Sequence, residues 1–301
     1  MLKLNGLIGS LFLSILQICV FNSATNFLEG DNFVHNAIQL ISKAAELNFE
    51  SGGIYMDIFN KMIHSIFFLW NIHHPQLKPE EIFNGEILEL LNGPIEKSRT
   101  EVAVRTPFSY FLELVVSISE NDQKVKDVLT ETLQKCKGSG YRRTLISQVI
   151  CICRVSGRSY YGGSLSCPTI PQREIMTAVS CFHVWDSSVS SAVLSVFPEA
   201  RTNPLSMKLP SSVQCRAYAI GNLNEVKAPC LRCHELYSLP TSETRKYKPG
   251  NCAETEAISN LLRNEPVVKN DTRMKGGRMT DLFIRKINDH NYRIDKIYES
   301  T

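Results

Sequence analysis

The spacing of apolar residues changes once along this chain, near residue 136, and that change limits the folds that the chain can adopt. Before this point apolar residues recur every three or four positions, as in residues 32–49, which is the spacing of an amphipathic helix. After a glycine-rich break at 136–143 (CKGSGYRR), residues 145–165 alternate and are rich in β-branched side chains. Ser156-Gly157 interrupts this stretch where a tight turn would join two strands. The sequence therefore predicts a helical region followed by a domain that contains a β-sheet.

Similar patterns predict the remaining elements. Before the break we expect helices at 32–49, 54–70, 79–91, 107–119 and 122–134. After the hairpin we expect helices at 171–182 and 187–196, a third strand at 212–221, helices that begin at Pro229-Cys230 and near Cys252, and a last element at 281–287. This order favours an α+β protein in which a helical region precedes a three-layer α/β/α domain.

The N-terminal end of the chain is apolar and the C-terminal end is basic. Residues 1–24 form an apolar segment that could be a docked amphipathic helix or a signal peptide, and its apolar run is short for a membrane span. A membrane partner is not expected if this segment is docked. Residues 263–301 contain nine Lys and Arg against six Asp and Glu, which indicates a solvated basic tail. We therefore divide the chain into an N-terminal segment (1–24), a helical region (25–138), an α/β domain (139–264) and a basic tail (265–301).

Cysteine usage bears on the compartment. Beyond Cys19 there are nine cysteines, an odd number, in a chain of 301 residues that is too large to need disulfide staples. Their spacing is more typical of buried thiols or metal ligands than of a disulfide framework. This favours a reducing, cytoplasmic compartment, and secretion through residues 1–24 is the alternative.

The strongest chemical signal is a pair of cysteine motifs. Cys230 and Cys233 are separated by two residues at a predicted helix start, and Cys252 opens a second helix. If the two helix starts converge, three sulfurs could hold a zinc ion and leave its fourth position to water. Glu254 would then be a carboxylate close to the metal, able to take a proton from that water and return it to a leaving group.

Two further residues could complete the coordination. His234 directly follows Cys233, and Cys215 lies on the preceding predicted strand. Either of them as a fourth ligand would close the site and remove the open position that catalysis needs.

The two motifs together resemble the zinc-dependent cytidine deaminase superfamily. The family combines a Cys-x-Glu or His-x-Glu helix with a Pro-Cys-x-x-Cys helix, and the CAE motif at Cys252 and the PCLRC motif at Pro229 match these. The resemblance covers at most residues 142–264, and the motif order is reversed relative to the family. It implies a deaminase-like fold and hydrolytic deamination of a nucleobase-like ring, with a nucleobase, a nucleoside or a nucleic acid as partner.

A non-catalytic interaction protein is the alternative interpretation. In that case the helical region would bind a protein partner, and the cysteine region would be structural, either braced by zinc or free of metal. The distances among the three thiols discriminate the two hypotheses, because a catalytic site needs all three sulfurs and Glu254 at one point.

Overall fold

The computed structural model describes residues 32–276, except 74, 76, 84, 139–142, 168 and 198–203. The predictions for residues 1–24 and 281–287 lie outside the described residues. The chain divides into two compact units, which we call the helical unit (described residues up to Ile146, with 166–167) and the sheet unit (147–165 and 169 onward). The predicted domain boundary at 138/139 lies eight residues before the point where the sheet unit begins.

Six helices make up the described part of the helical unit. They are α1 (Asn32–Glu50), α2 (Met56–His73), α3 (Pro79–Ile82), α4 (Gly85–Ser98), α5 (Pro107–Ile118) and α6 (Asp122–Gln134). The side chains of the cap residues Thr106 and Asn121 accept hydrogen bonds from backbone N–H groups of α5 and α6. The single helix predicted at 79–91 is wrong, because Phe83 has an extended backbone and Gly85 has a φ of +52°.

Large apolar side chains fill the core of the helical unit. The rings of Phe33 and Trp70 meet edge to face with centroids 5.6 Å apart, and Phe67 and Phe83 meet in the same way at 6.1 Å. Polar groups of α2 fasten the loop that precedes α5, since Ser65 Oγ donates to the Arg105 carbonyl at 2.6 Å. This unit therefore depends mainly on burying aromatic and aliphatic volume.

The sheet unit contains a four-stranded antiparallel sheet with the order β2-β1-β4-β5. Its elements are β1 (Val149–Val155), β2 (Arg158–Gly163), α7 (Ile170–His183), α8 (Ser187–Leu194), β3 (Ser206–Lys208), β4 (Gln214–Ala219), β5 (Asn222–Lys227), α9 (Leu231–Tyr237), α10 (Ala253–Asn264), α11 (Pro266–Asp271) and β6 (Arg273–Lys275). Helices and an antiparallel sheet in one chain confirm the α+β class.

The sequence did not predict several of these elements. Strand β5 follows β4 through a turn at Gly221, and the short strands β3 and β6 pair with each other through Met207 and Met274. Residues 265–276, which the sequence assigns to the basic tail, form α11 and β6. Pro266 stands at the first position of α11, where its missing N–H is not needed, and Val268 is buried. The folded part of the chain thus extends beyond residue 264.

Helix α10 lies directly against the β1–β2 hairpin. A Cβ atom on Gly162 would stand 2.2 Å from the backbone nitrogen of Ala257 and 2.6 Å from the carbonyl oxygen of Ala253, so only glycine fits there. The buried carboxylate of Glu256 accepts a hydrogen bond from the Gly163 backbone N–H at 2.8 Å. Asn260 Nδ2 donates to the Tyr161 carbonyl at 2.8 Å. The first two turns of α10 are therefore fixed relative to the sheet.

No helix among the described residues combines the length and the apolar character that crossing a bilayer requires.

Candidate metal centre

The three motif cysteines meet at one point. Cys230 is the N-cap residue of α9 and Cys252 is the N-cap residue of α10. Cys230 Sγ lies 3.8 Å from Cys233 Sγ and 3.4 Å from Cys252 Sγ, and all three sulfurs lie within 4.8 Å of one another. Tetrahedral zinc with Zn–S bonds of about 2.3 Å separates its sulfur ligands by about 3.8 Å. The spacing of the three thiols therefore suits one metal ion.

Local hydrogen bonds place the two helix starts. The backbone N–H of Leu231, at the beginning of α9, donates to the Arg245 carbonyl at 2.9 Å, and Thr241 Oγ1 donates to the Pro229 carbonyl. At the beginning of α10, the carbonyl of Asn251 accepts from the Leu165 N–H at 2.9 Å. The segment between the helices is thus tied back at both ends, which brings Cys252 to the Cys-x-x-Cys pair.

The three cysteines differ in how far their residues are buried. Cys230 and Cys233 are 5% and 1% exposed, whereas Cys252 is only partly buried. Hydrogen bonds from Cys233 and Cys252 hold the pKa of the Cys230 thiol far below its usual range, while those same contacts with Cys230 raise the pKa of Cys233 and of Cys252. The lowered pKa favours the thiolate form of Cys230, and a thiolate is the form that binds zinc.

Glu254 is the carboxylate beside the thiols. It occupies the second position of α10, its residue is 5% exposed, and its side chain interacts with those of Cys230 and Cys233. Burial, together with the negative charge of Cys230, raises the pKa of Glu254 to about 7. A carboxyl group with this pKa is half protonated near neutral pH, so it can both accept and donate a proton there.

The two additional ligands that the sequence suggests lie elsewhere. Cys215 on β4 stands opposite Cys153 on β1, and the two form a disulfide across the sheet. His234 is exposed, and its Nδ1 lies 2.8 Å from the Leu239 carbonyl oxygen. Among the described residues the group that could hold a metal consists of the three motif cysteines alone.

The disulfide also corrects the expectation for the cysteines as a set. The cysteines at 136, 151, 167 and 181 are buried thiols outside the disulfide, as predicted. Cys153 and Cys215 were expected to be thiols, but they occupy directly opposed positions of neighbouring antiparallel strands, with Cα atoms 4.1 Å apart. This close pairing, which depends on strand register, brings their side chains together on one face of the sheet.

Sequence reasoning missed three residues that support the site. Glu256 and Gly162 fix α10 on the hairpin, as described above. Tyr237 is buried and donates its hydroxyl proton to Thr255 Oγ1 at 2.9 Å, which links the end of α9 to the first turn of α10. One signal was available, because the pair Gly162-Gly163 inside a strand indicates that another backbone approaches closely.

Comparison with known proteins gives no relative. No protein-family model, curated protein or solved structure matches this chain.

Proposed function

We propose that this protein is a zinc-dependent hydrolytic deaminase that acts on a nucleobase-like ring. The observation that carries the proposal is the convergence of Cys230, Cys233 and Cys252 with the buried carboxyl group of Glu254 beside them. Three protein ligands leave a fourth position for water, which is the arrangement of catalytic rather than structural zinc sites.

The roles of the residues follow from their positions. Cys230, Cys233 and Cys252 would hold the zinc ion, which supplies a bound water of lowered pKa. Glu254 would take one proton from this water as its oxygen adds to the ring carbon that carries the amino group. The same carboxyl group would then give this proton to the departing amino group, and the second proton of the water would pass to the neighbouring ring nitrogen, so that ammonia leaves and a carbonyl group remains on the ring. The raised pKa of Glu254 suits both halves of this transfer.

A three-layer, deaminase-like arrangement of the sheet unit belongs to the same proposal. The antiparallel β1–β2 hairpin and the Pro-Cys-x-x-Cys helix support it. Because the CAE motif follows the PCLRC motif in this chain, α10 would fill the place that an earlier helix fills in the family. The close approach of α10 to Gly162 supports this placement of the helix against the sheet.

The test combines metal analysis with activity. We expect purified protein to contain about one zinc per chain. Glu254→Gln should keep the zinc and lower the deamination rate by about 10²-fold to 10⁴-fold, because it removes the proton carrier and preserves the shape of the side chain. Cys252→Ser should lose the zinc and the activity together. The assay measures ammonia released from aminated nucleobases, nucleosides and single-stranded oligonucleotides.

Two results would refute the proposal: a chain that stays free of zinc after purification in zinc-containing buffer, and equal turnover by wild type and Glu254→Gln. Cys181→Ala is the matched control, since Cys181 is buried in the sheet unit but does not belong to the cluster. It should retain zinc.

A structural zinc brace in an interaction protein is the second candidate. One observation favours it: two of the three thiols are N-cap residues of α9 and α10, so a bound ion would join the two helix starts. In that case the helical unit would supply the surface for a protein partner. Three results would favour this function. The chain would hold about one zinc, it would turn over no aminated base, and binding of the protein partner would be lost only when the surface of the helical unit is altered.

A further inference from the structure

The three thiols of the candidate metal centre are also close enough to react with one another. Cys230 Sγ lies 3.4 Å from Cys252 Sγ and 3.8 Å from Cys233 Sγ. A disulfide has an S–S bond of about 2.05 Å, so the first pair must close by about 1.4 Å and the second pair by about 1.8 Å. Cys230 is therefore the sulfur that both others have as a neighbour, and Cys252 is its nearer partner.

The fold brings this nearer pair together from distant positions. Cys230 and Cys252 are 22 positions apart, and residues 238–252 between the two helices form neither helix nor strand. The hydroxyl of Tyr237, at the end of α9, donates to Thr255 Oγ1 in the first turn of α10. This bond involves no sulfur, and it holds the two helices side by side. A covalent S–S bond can therefore join the two helix starts without a large movement of either helix.

The three cysteines do not offer the same opportunity for oxidation. Cys230 and Cys233 are 5% and 1% exposed, and Cys252 is the least buried residue of the cluster. Peroxides oxidise a thiol most readily when it is accessible and has a second thiol beside it. The other thiols of the sheet unit, Cys151 and Cys181, are buried and lie outside the cluster. Among the thiols of this unit, Cys252 thus comes nearest to meeting both conditions.

We propose that the metal-free cluster is a site of oxidation by hydrogen peroxide, at which Cys230 and Cys252 form a disulfide. In the first step the Cys252 sulfur attacks one peroxide oxygen: an S–O bond forms, the O–O bond breaks, and the departing hydroxyl takes the thiol proton and leaves as water. In the second step the Cys230 sulfur attacks the Cys252 sulfur: the S–S bond forms, the S–O bond breaks, and the hydroxyl takes the Cys230 proton and leaves as a second water. Two thiols together lose two electrons, and one peroxide is reduced to two waters.

This disulfide has a direct consequence for the candidate metal centre. It consumes two of the three cysteines that could hold the ion and leaves Cys233 as the remaining thiol of the cluster. A zinc site needs several deprotonated ligands, so oxidation and zinc binding compete for the same sulfurs. The inference goes beyond the proposed function, because it applies equally to a zinc ion that supports hydrolysis and to one that only joins the helix starts.

Peptide mapping tests the pairing. The full chain is treated with a chelator, exposed to an equimolar amount of hydrogen peroxide, alkylated, and digested with trypsin without reduction. The lysines and arginines of the chain place the three cysteines on separate tryptic peptides: 228–232, 233–245 and 247–263. We expect the first and the third of these peptides to be joined, at a mass two hydrogens below their sum. The Cys153–Cys215 disulfide, which joins another pair of tryptic peptides, is the internal reference.

Four variants and a metal measurement identify the partners. Cys230→Ser and Cys252→Ser should each abolish the joined peptide, whereas Cys233→Ala should retain it. Cys181→Ala is the matched control, since it removes a buried thiol outside the cluster, and it should behave as wild type. Zinc uptake by wild type should fall about tenfold after peroxide treatment, because two of the three ligands are consumed.

The outcomes separate this inference from the proposed function. Complete alkylation of the three cysteines in peroxide-treated wild type, with the reference disulfide intact, overturns the inference. A link between peptides 228–232 and 233–245 overturns the assignment of Cys252 as the partner. A chain that holds zinc and releases ammonia but forms no new disulfide overturns this inference alone. A chain that forms the disulfide but neither holds zinc nor releases ammonia overturns the proposed function and supports the oxidation site.

Discussion

The helical unit and the sheet unit bury different kinds of side chain. Among the described residues, the phenylalanine side chains that are less than 2% exposed all belong to the helical unit: Phe33, Phe59, Phe67, Phe68, Phe83, Phe108 and Phe111. The core of the sheet unit instead contains small and sulfur-bearing side chains, among them Cys151, Cys153, Cys230, Cys233, Ala217, Ala253 and Ala257. Small side chains let backbones approach, and sulfur allows cross-links and metal binding.

This difference indicates which interactions stabilise each unit. The helical unit gains free energy in proportion to the apolar area that it buries, at about 25 cal/mol per Å². The sheet unit adds specific bonds to this term: a disulfide between β1 and β4, the hydrogen bond of Glu256 to the hairpin, and the thiol cluster. We therefore expect the two units to respond to different perturbations.

The largest effect is expected at Gly162, in the sheet unit. Gly162→Ala places a methyl group 2.2 Å from the backbone nitrogen of Ala257, so α10 must move away from the hairpin and carry Cys252 with it. We expect loss of zinc and of amide protection in α10, with unchanged protection in the helical unit, as measured by hydrogen exchange and metal analysis. Gly221→Ala is the control, because a Cβ atom there meets nothing within 4 Å. Retention of zinc by Gly162→Ala would contradict this account of α10.

The second-largest effect is expected when a packed side chain is removed from the core of the helical unit. Phe67→Ala removes a fully buried ring that contacts Phe83 and Trp70, which should lower the free energy of unfolding of that unit by about 3 to 5 kcal/mol. Denaturant titration followed by Trp fluorescence and hydrogen exchange measures it. The zinc content should not change. A loss of zinc in this variant would show that the two units are not separable in this way.

Reduction of the disulfide should affect the sheet unit alone. The bond closes a loop between residues 62 positions apart, so a phosphine reductant should lower the stability of that unit by about 2 to 4 kcal/mol. Amide exchange in β1 and β4 should accelerate, while exchange in α1 to α6 should not. The double variant Cys153→Ala, Cys215→Ala must be insensitive to the reductant. If the reductant destabilises this double variant as much as wild type, its effect does not come from the Cys153–Cys215 disulfide, and the prediction is wrong.

The smallest effect is a pH dependence of opposite sign in the two units. Burial lowers the pKa of His64 below its usual 6.5, so the stability of the helical unit is full above that pH and decreases as the pH falls through 6.5. Thermal unfolding between pH 7.5 and pH 5 measures this decrease, and His64→Gln should reduce it. In the sheet unit the pKa of Glu254 is raised from 4.5 to about 7, so stability of the metal-free form decreases as the pH rises through that window. A helical unit that becomes more stable at pH 5 would contradict the first sign.

The sequence predicted those features that depend on local pattern. The hairpin turn at Ser156-Gly157 and the α+β class both follow from residue spacing and turn chemistry. The three thiols of the motif also come together, as the hypothesis of converging helix starts required.

Features that depend on contacts between distant residues could not be predicted. The disulfide needs the register of β1 against β4, which brings Cys153 opposite Cys215 across a separation of 62 residues. Among the described residues β6 pairs with β3, and its own sequence (Arg273–Lys275) has no strand signal. The place of α10 depends on the backbone approach at Gly162, which no spacing of apolar residues encodes.

The contact at Gly162 has a consequence for how this site could be altered. Side chains alternate between the two faces of a strand, so a shift of β2 by one residue would place Tyr161 or Gly163 under α10. A tyrosine there would lift the helix and separate Cys252 from Cys230, although neither cysteine had changed. The present register pairs Val155 with Arg158 next to the turn and Ile150 with Gly163 at the far end. The register of the hairpin thus determines the distance between Cys252 and Cys230. The candidate metal centre can therefore be altered by substitutions in β2, a strand that supplies none of the three cysteines.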